Sequence, residues 1–260
     1  MRLFVLFLFA SLLPGEVGLA QTIDVKPSAT SVAPIYRPAL LGTGPTALIN
    51  RIDAQDLIKK GQKDAAIMFT CTVKKTGEIV WSGTYRGTPD SKLLEQELQT
   101  KLADAKFVPA IYNSLPVDAI FYGTVTFAVV DGKPRLRIFS NQEAEELRKE
   151  SDFVAPQPFF GYESQFTGWH YPSRKDAPVE VDGAVELGVE ISEKGFLNKV
   201  VVGQEEPPFL GFGDAAVIDV SRARFIPAFR NGKPVACRVV LPVYFKRRGE
   251  IFNIPTVPGQ

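Results

Sequence analysis

The chain has 260 residues, 45% hydrophobic and 23% charged, with 30 Lys and Arg against 29 Asp and Glu. This is the composition of a folded protein and excludes a disordered tail or a coiled coil. A net charge of +1 gives no long-range pull on nucleic acid or anionic lipid, and a single histidine with two cysteines leaves too few ligands for a zinc cluster or for His-based nucleophilic catalysis. No cofactor, metal or enzymatic activity is expected.

The N-terminus reads as a secretory signal. Arg2 is a minimal positive region, Leu3 to Leu13 form an apolar run of 11 residues closed by Pro14-Gly15, and Gly18-Leu19-Ala20 places small residues before Gln21. Residues 1–20 are therefore expected to be removed. The competing reading, an uncleaved anchor, needs about 20 apolar residues to span a bilayer. No cysteine stands at the cleavage point to carry a lipid. Residues 21–48, rich in Pro, Thr, Ala and Ser, read as an extended leader outside the core. No transmembrane span is expected after cleavage. The most apolar later stretch, Val235 to Phe245, holds Arg238 and Pro242 and reads as a strand.

An internal repeat organises the rest. Shifted by 118 residues, the chain aligns with itself without a gap, and nine of 25 positions between 103–127 and 221–245 are identical, among them Phe107/Phe225, Pro109/Pro227, Asn113/Asn231 and Pro116/Pro234. Gly77 and Gly195 share the offset, as do the alternating runs Ile67-Phe69-Cys71-Val73 and Val185-Leu187-Val189-Ile191. Two modules of usual domain size follow, at 49–140 and 169–250, with a connector at 141–168.

Within each module the alternating run predicts a strand with one buried face, ending at Lys74-Lys75-Thr76-Gly77 or Ser192-Glu193-Lys194-Gly195 in a hairpin turn. Return strands are expected from Ile79 to Tyr85 and from Leu197 to Val202. A helix follows, marked in the first module by Leu94, Leu98 and Leu102 and capped in the second by Asp214 ahead of Ala215, Ala216 and Val220. Phe-x-Pro-Ala ends the helix. The turn Asn231-Gly232-Lys233-Pro234 then leads into a last strand whose Val235, Cys237, Val239, Leu241, Val243 and Phe245 share a face. Asp53 is placed to cap a short helix, Ala54 to Lys60, before the first strand. The expected fold class is α+β: two tandem modules, each an antiparallel three-stranded sheet packed with helices. Gln142 to Lys149 reads as a connecting helix. The aromatic stretch 151–170 (Phe153, Phe159, Phe160, Tyr162, Phe166, Trp169) is expected to cover a sheet or an inter-module seam, with a ligand pocket as the alternative.

The second module carries a resemblance. Tyr171-Pro172, Asp182-Gly183-Ala184-Val185, Lys194-Gly195, Asp214-Ala215-Ala216, Arg224-Phe225-Ile226-Pro227-Ala228, Asn231-Gly232-Lys233-Pro234-Val235 and Leu241-Pro242-Val243-Tyr244-Phe245 stand in order. Residues 169–246 resemble the TonB C-terminal domain. The first module resembles it more faintly through Lys75-x-Gly77, Phe107-x-Pro109-Ala110 and Val125-Thr126-Phe127. The resemblance implies a periplasmic protein of a Gram-negative envelope that binds protein or peptide partners, such as the extended segment of an outer-membrane transporter, by pairing with its last strand. The short leader and the duplication depart from an energy transducer, so force transmission does not carry over.

Physics points to the same strand. Sheet edges offer unpaired N–H and C=O groups, and Pro242 cannot donate a ladder bond, which makes the last strand an edge. Its outward residues are Ala236, Arg238, Val240, Pro242 and Tyr244. Arg238, Val240 and Tyr244 are the expected partner-binding residues. The alternative is an edge that proline and arginine protect, in a structural or self-associating envelope protein with no transport role. Ile120 to Thr126 is the equivalent edge of the first module.

Other features carry less. Gly211-Phe212-Gly213-Asp214-Ala215-Ala216 lacks the parallel βαβ unit of a dinucleotide site. His170 is expected to be structural, Glu205-Glu206 to be solvated charge, and Lys246-Arg247-Arg248 is too short for a nucleic-acid footprint. Cys71 and Cys237 are expected as free thiols in separate cores.

Overall fold

The computed structural model describes residues 35–161, 163–173 and 180–246. The expected signal, the leader before Ile35, Tyr162, Arg247 and Arg248 lie outside the described residues. Among the described residues no helix is long and apolar enough to cross a membrane.

The first half begins earlier than its composition suggested. β1 (Tyr36–Arg37), α1 (Leu48–Arg51) and α2 (Ala54–Lys59) precede the hairpin of β2 (Ala65–Val73) and β3 (Ile79–Gly87). Part of the stretch expected to lie outside the core is built into it, with Tyr36 and Leu41 packed against Ala39 and Leu48 in the first core. Leu40 exchanges two main-chain bonds with Val108, and Ala39 and Leu48 are fully buried. Composition alone read this stretch as an extended leader, because the bonds that place it come from residues far along the chain. Asp53 caps α2 as expected, accepting the Asp56 N–H at 2.9 Å. α3 (Lys92–Leu102) lays Leu94, Leu98 and Leu102 onto the sheet, all fully buried. β4 (Ala110–Tyr112), the 16-residue β5 (Leu115–Val130) and β6 (Lys133–Phe139) complete this half.

After α4 (Ala144–Lys149) and β7 (Gln157–Phe160), the second half runs β8 (Gly183–Ile191), β9 (Leu197–Glu206), α5 (Phe212–Ser221), β10 (Arg224–Ile226), β11 (Ala228–Arg230), β12 (Lys233–Val235) and β13 (Cys237–Phe245). Helices and antiparallel strands mix in an α+β arrangement. α5 starts at Phe212, two residues before Asp214. Its first amide is met by Glu205, whose Oε1 accepts from Phe212 at 3.0 Å and from Leu210 in the preceding loop at 3.2 Å. Glu205 is thus a helix cap, where solvated charge was expected.

The 118-residue offset reaches into the backbone. β2 and β8 start at Ala65 and Gly183, β3 and β9 at Ile79 and Leu197. The β2–β3 register slips at Met68/Phe69 and Thr72/Val73, and the β8–β9 register at Glu186/Leu187 and Glu190/Ile191, the same positions under the offset. Gly77 and Gly195 both take positive φ, +84° and +75°, and each carbonyl accepts the N–H of Phe107 or Phe225, at 2.8 and 3.0 Å. A Cβ on either glycine would lie 2.2 or 1.9 Å from that phenylalanine's carbonyl oxygen. Only glycine permits both the turn and this approach.

The halves differ in how they end. Three strands in the order β13-β8-β9 make the second sheet, as expected. The first sheet has eight strands, where three were expected. β5 runs along β2 and takes β4, β7 and β6 in succession on its other side, and β7 in turn pairs with β10 from the second half. One core gathers Phe69, Phe107, Phe121, Phe127 and Phe159. The other gathers Val185, Leu187, Phe212, Phe225, Leu241 and Phe245, and takes in Ile120 and Tyr122 from β5. Pleating explains this sharing, because successive β5 side chains point to opposite faces. The aromatics of 151–170 fill the seam: Phe159 lies in the first core, Phe153 and Phe166 in the second.

Candidate functional site

Among the described residues, β13 is an outer strand that pairs with β8 alone. The Val240 N–H points away from β8, since it donates to a Glu143 carboxylate oxygen at 3.0 Å. Alternate residues of an antiparallel strand turn their main-chain groups to the same side. The N–H and C=O of Arg238, the C=O of Pro242 and both groups of Tyr244 therefore share that outer side. Pro242 falls in this set, so its missing N–H removes no bond to β8. The inward side chains of Val239, Leu241, Val243 and Phe245 are buried, and Cys237 is half-buried.

The three expected site residues lie on one face of β13, two residues apart or four. The Arg238 guanidinium meets Glu190, its cross-strand partner, at 2.6 Å, and its side chain is 77% exposed. Such an open ion pair stabilises the fold by well under about 1 kcal/mol and is free to exchange for another acceptor. Val240 is about half exposed. Tyr244 stacks on Tyr85 of β3 with ring centroids 4.4 Å apart. Burial there pushes its hydroxyl up to about 12, with the Arg86 guanidinium working against the shift and Glu186 adding to it. Arg86 and Glu186 form an ion pair beside the two rings.

Two contributors came from outside the expected site, Glu143 and Tyr85. Glu143 sits just before α4, 97 residues from Val240, and its side chain makes no cap bond to that helix. Burial raises its pKa, the Val240 N–H lowers it and Glu146 raises it further. Its carboxylate also adds to the burial that lifts the Cys237 thiol to about 12. Cys71 is fully buried and likewise raised, and both cysteines are free. The rest of the connector grips the β11–β12 hairpin. Glu146 takes both Arg230 guanidinium nitrogens, at 2.7 and 3.1 Å, Asp152 accepts the Asn231 N–H, and Val154 exchanges two main-chain bonds of 3.0 Å with Phe229. Neither Glu143 nor Tyr85 had a local signal, because each acts across tens of residues of intervening chain.

At the same offset, the outer side of β5 is not open. Asp118 and Ala119 pair with β7, and Thr124 to Val130 pair with β6. Tyr122, the counterpart of Val240, is buried beside the second core.

His170 is held by Asp219 of α5, which accepts its backbone N–H at 2.6 Å and its Nδ1 at 2.8 Å. This anchors the segment leading into the second half. Gly211 and Gly213 open α5 against β9, with no phosphate-binding loop around them.

The arrangement defines a small α+β module with an exposed edge strand, a geometry suited to contacts with other polypeptides. Residues 169–247 match the family model described as Gram-negative bacterial TonB protein C-terminal. No curated protein and no solved structure matches the chain.

Proposed function

We propose that this is a periplasmic protein with two tandem TonB-like modules, the second of which binds an extended peptide segment of an envelope or outer-membrane transport partner by strand addition to β13. The match over residues 169–247 supports the class of domain. The observation that carries the proposal is the outward set of main-chain groups on β13, flanked by the exposed Arg238. An added strand would draw its affinity from these groups and its selectivity from Arg238, Val240 and Tyr244. The first half supplies a parallel within the chain, since the equivalent side of β5 already carries β6 as an added strand. The shared register slips and the Gly77/Gly195 contacts support reading that half as a second, TonB-like copy whose edge is filled from within. Residues 1–20 are the export signal in this reading.

A second reading, a structural or self-associating envelope protein, is favoured by one observation: Glu143 and Tyr85 of the same chain lie against β13. Photo-crosslinking in the native cell, with the probe at Arg238, separates the two. Capture of a transporter's periplasmic segment is the expected result. Capture of the same protein alone, or of nothing, selects the structural reading.

A further inference from the structure

Strand addition to β13 requires each outward N–H to be available to an incoming carbonyl. Among the described residues, the Val240 N–H is the one in this set with a side-chain partner, and that partner comes from the connector. The Glu143 carboxylate occupies the place of a neighbouring strand's carbonyl oxygen. It is a costly placeholder, because a half-buried carboxylate gives up hydration for a single amide bond. A small cavity runs beside it, lined by Tyr122, Gln142, Pro156, Val239 and Leu241. The edge is therefore covered at one amide, with residues of β5 and the connector close beside it.

We infer that Glu143 is an internal latch on the binding edge: it holds the Val240 amide in the unbound protein and must leave for a partner strand to pair with β13. This rests on the strand-addition reading and adds its regulation. The geometry gives the latch a mechanical link to the first half. Gln142, the residue before it, donates from Nε2 to the carbonyls of Phe69 at 3.0 Å and Gly123 at 3.2 Å, which lie opposite each other in β2 and β5. The Asn141 carbonyl accepts the hydroxyl of Thr124 at 2.8 Å. On the other side, Glu146 and Asp152 tie the connector to β11 and the turn that follows it. The first sheet thus presets where Glu143 stands, and the first module becomes a regulator of the edge, its own edge being filled by β6 and β7.

The incoming group is a main-chain carbonyl of an extended peptide. It makes the same bond to the Val240 N–H as the carboxylate, without a buried charge, so the exchange is favourable once the remaining edge groups also pair.

The test uses the full mature chain in three variants, Glu143→Ala, Glu143→Gln and Glu146→Ala. Glu143→Gln keeps an acceptor oxygen. Glu146→Ala breaks the Arg230 pair on the same helix while leaving the latch in place. Amide hydrogen exchange at Val240 is measured in each, together with capture in cells by a photo-probe at Arg238. In Glu143→Ala the Val240 amide is expected to exchange about fivefold faster, the loss of one ordinary hydrogen bond, and capture to rise several-fold. Glu143→Gln and Glu146→Ala should leave Val240 exchange at the parent rate. Unchanged exchange in Glu143→Ala overturns the latch. Faster exchange with capture unchanged from a measurable parent level also overturns it and leaves strand addition standing. Absence of capture in every variant overturns the strand-addition reading, and the latch's role falls with it.

Discussion

Gly195 and Phe225 show how much of this fold hangs on single positions. The Gly195 carbonyl receives the Phe225 N–H, and the missing Cβ leaves room for the Phe225 carbonyl. Replacing Gly195 by Ala would force a left-handed φ and a sub-van der Waals contact together. The cost is expected to be about 3 kcal/mol, seen as a melting temperature lowered by about 10 °C, with Gly77→Ala behaving alike. Both glycines were legible in the sequence, because a turn glycine between two alternating runs is a local signal. Arg238, Val240 and Tyr244 were legible as one face for the same reason: strand alternation needs no tertiary information. Glu143 was not. Its partner is 97 residues away, and nothing in Gln142-Glu143-Ala144 marks a side chain aimed at another element's amide. Glu205 escaped for a related reason, since it caps a helix from the preceding strand instead of from the first turn.

At the scale of elements, long periodic segments and the short helices α2 and α4 were legible, and the shortest strands were not. β2, β8, α3 and β13 carry enough alternation or four-residue spacing to declare themselves. β7 and β10, of four and three residues, do not, and they are the strands that join the two halves. The number of strands in the first sheet was missed for that reason. β1 lay in a segment whose composition reads as leader, and its place is fixed instead by long-range bonds. Gln157 of β7 supplies two of them, accepting the Ala39 N–H at 2.7 Å and donating to the Ala39 carbonyl at 3.0 Å, all buried. Gln157→Ala would strand a buried donor and a buried acceptor. A loss of about 2–4 kcal/mol is expected, measured as a lower midpoint of denaturant unfolding. Gln157→Glu would bury a carboxylate against the Ala39 carbonyl, and a loss at least as large as that of Gln157→Ala is expected.

For the whole molecule, two halves whose β2–β3 and β8–β9 hairpins slip at equivalent positions end differently. In the first half β5 runs to 16 residues and its outer side is covered by β6 and β7. In the second half β13 ends at Phe245 and has one outward amide bonded to Glu143. The core of the second half reaches across to Ile120 and Tyr122, so the surface that β13 presents is set partly by the first half. In the proposed reading, the first half is a support and β13 is the binding edge. The measurement that tests this most directly is residue-resolved amide exchange of the mature chain, alone and with a synthetic peptide of the segment captured through Arg238. Strand addition predicts that the peptide slows exchange at the Arg238, Val240 and Tyr244 amides while β9 and β6 keep their rates. Slowing along β9, or no change anywhere on β13, would contradict it.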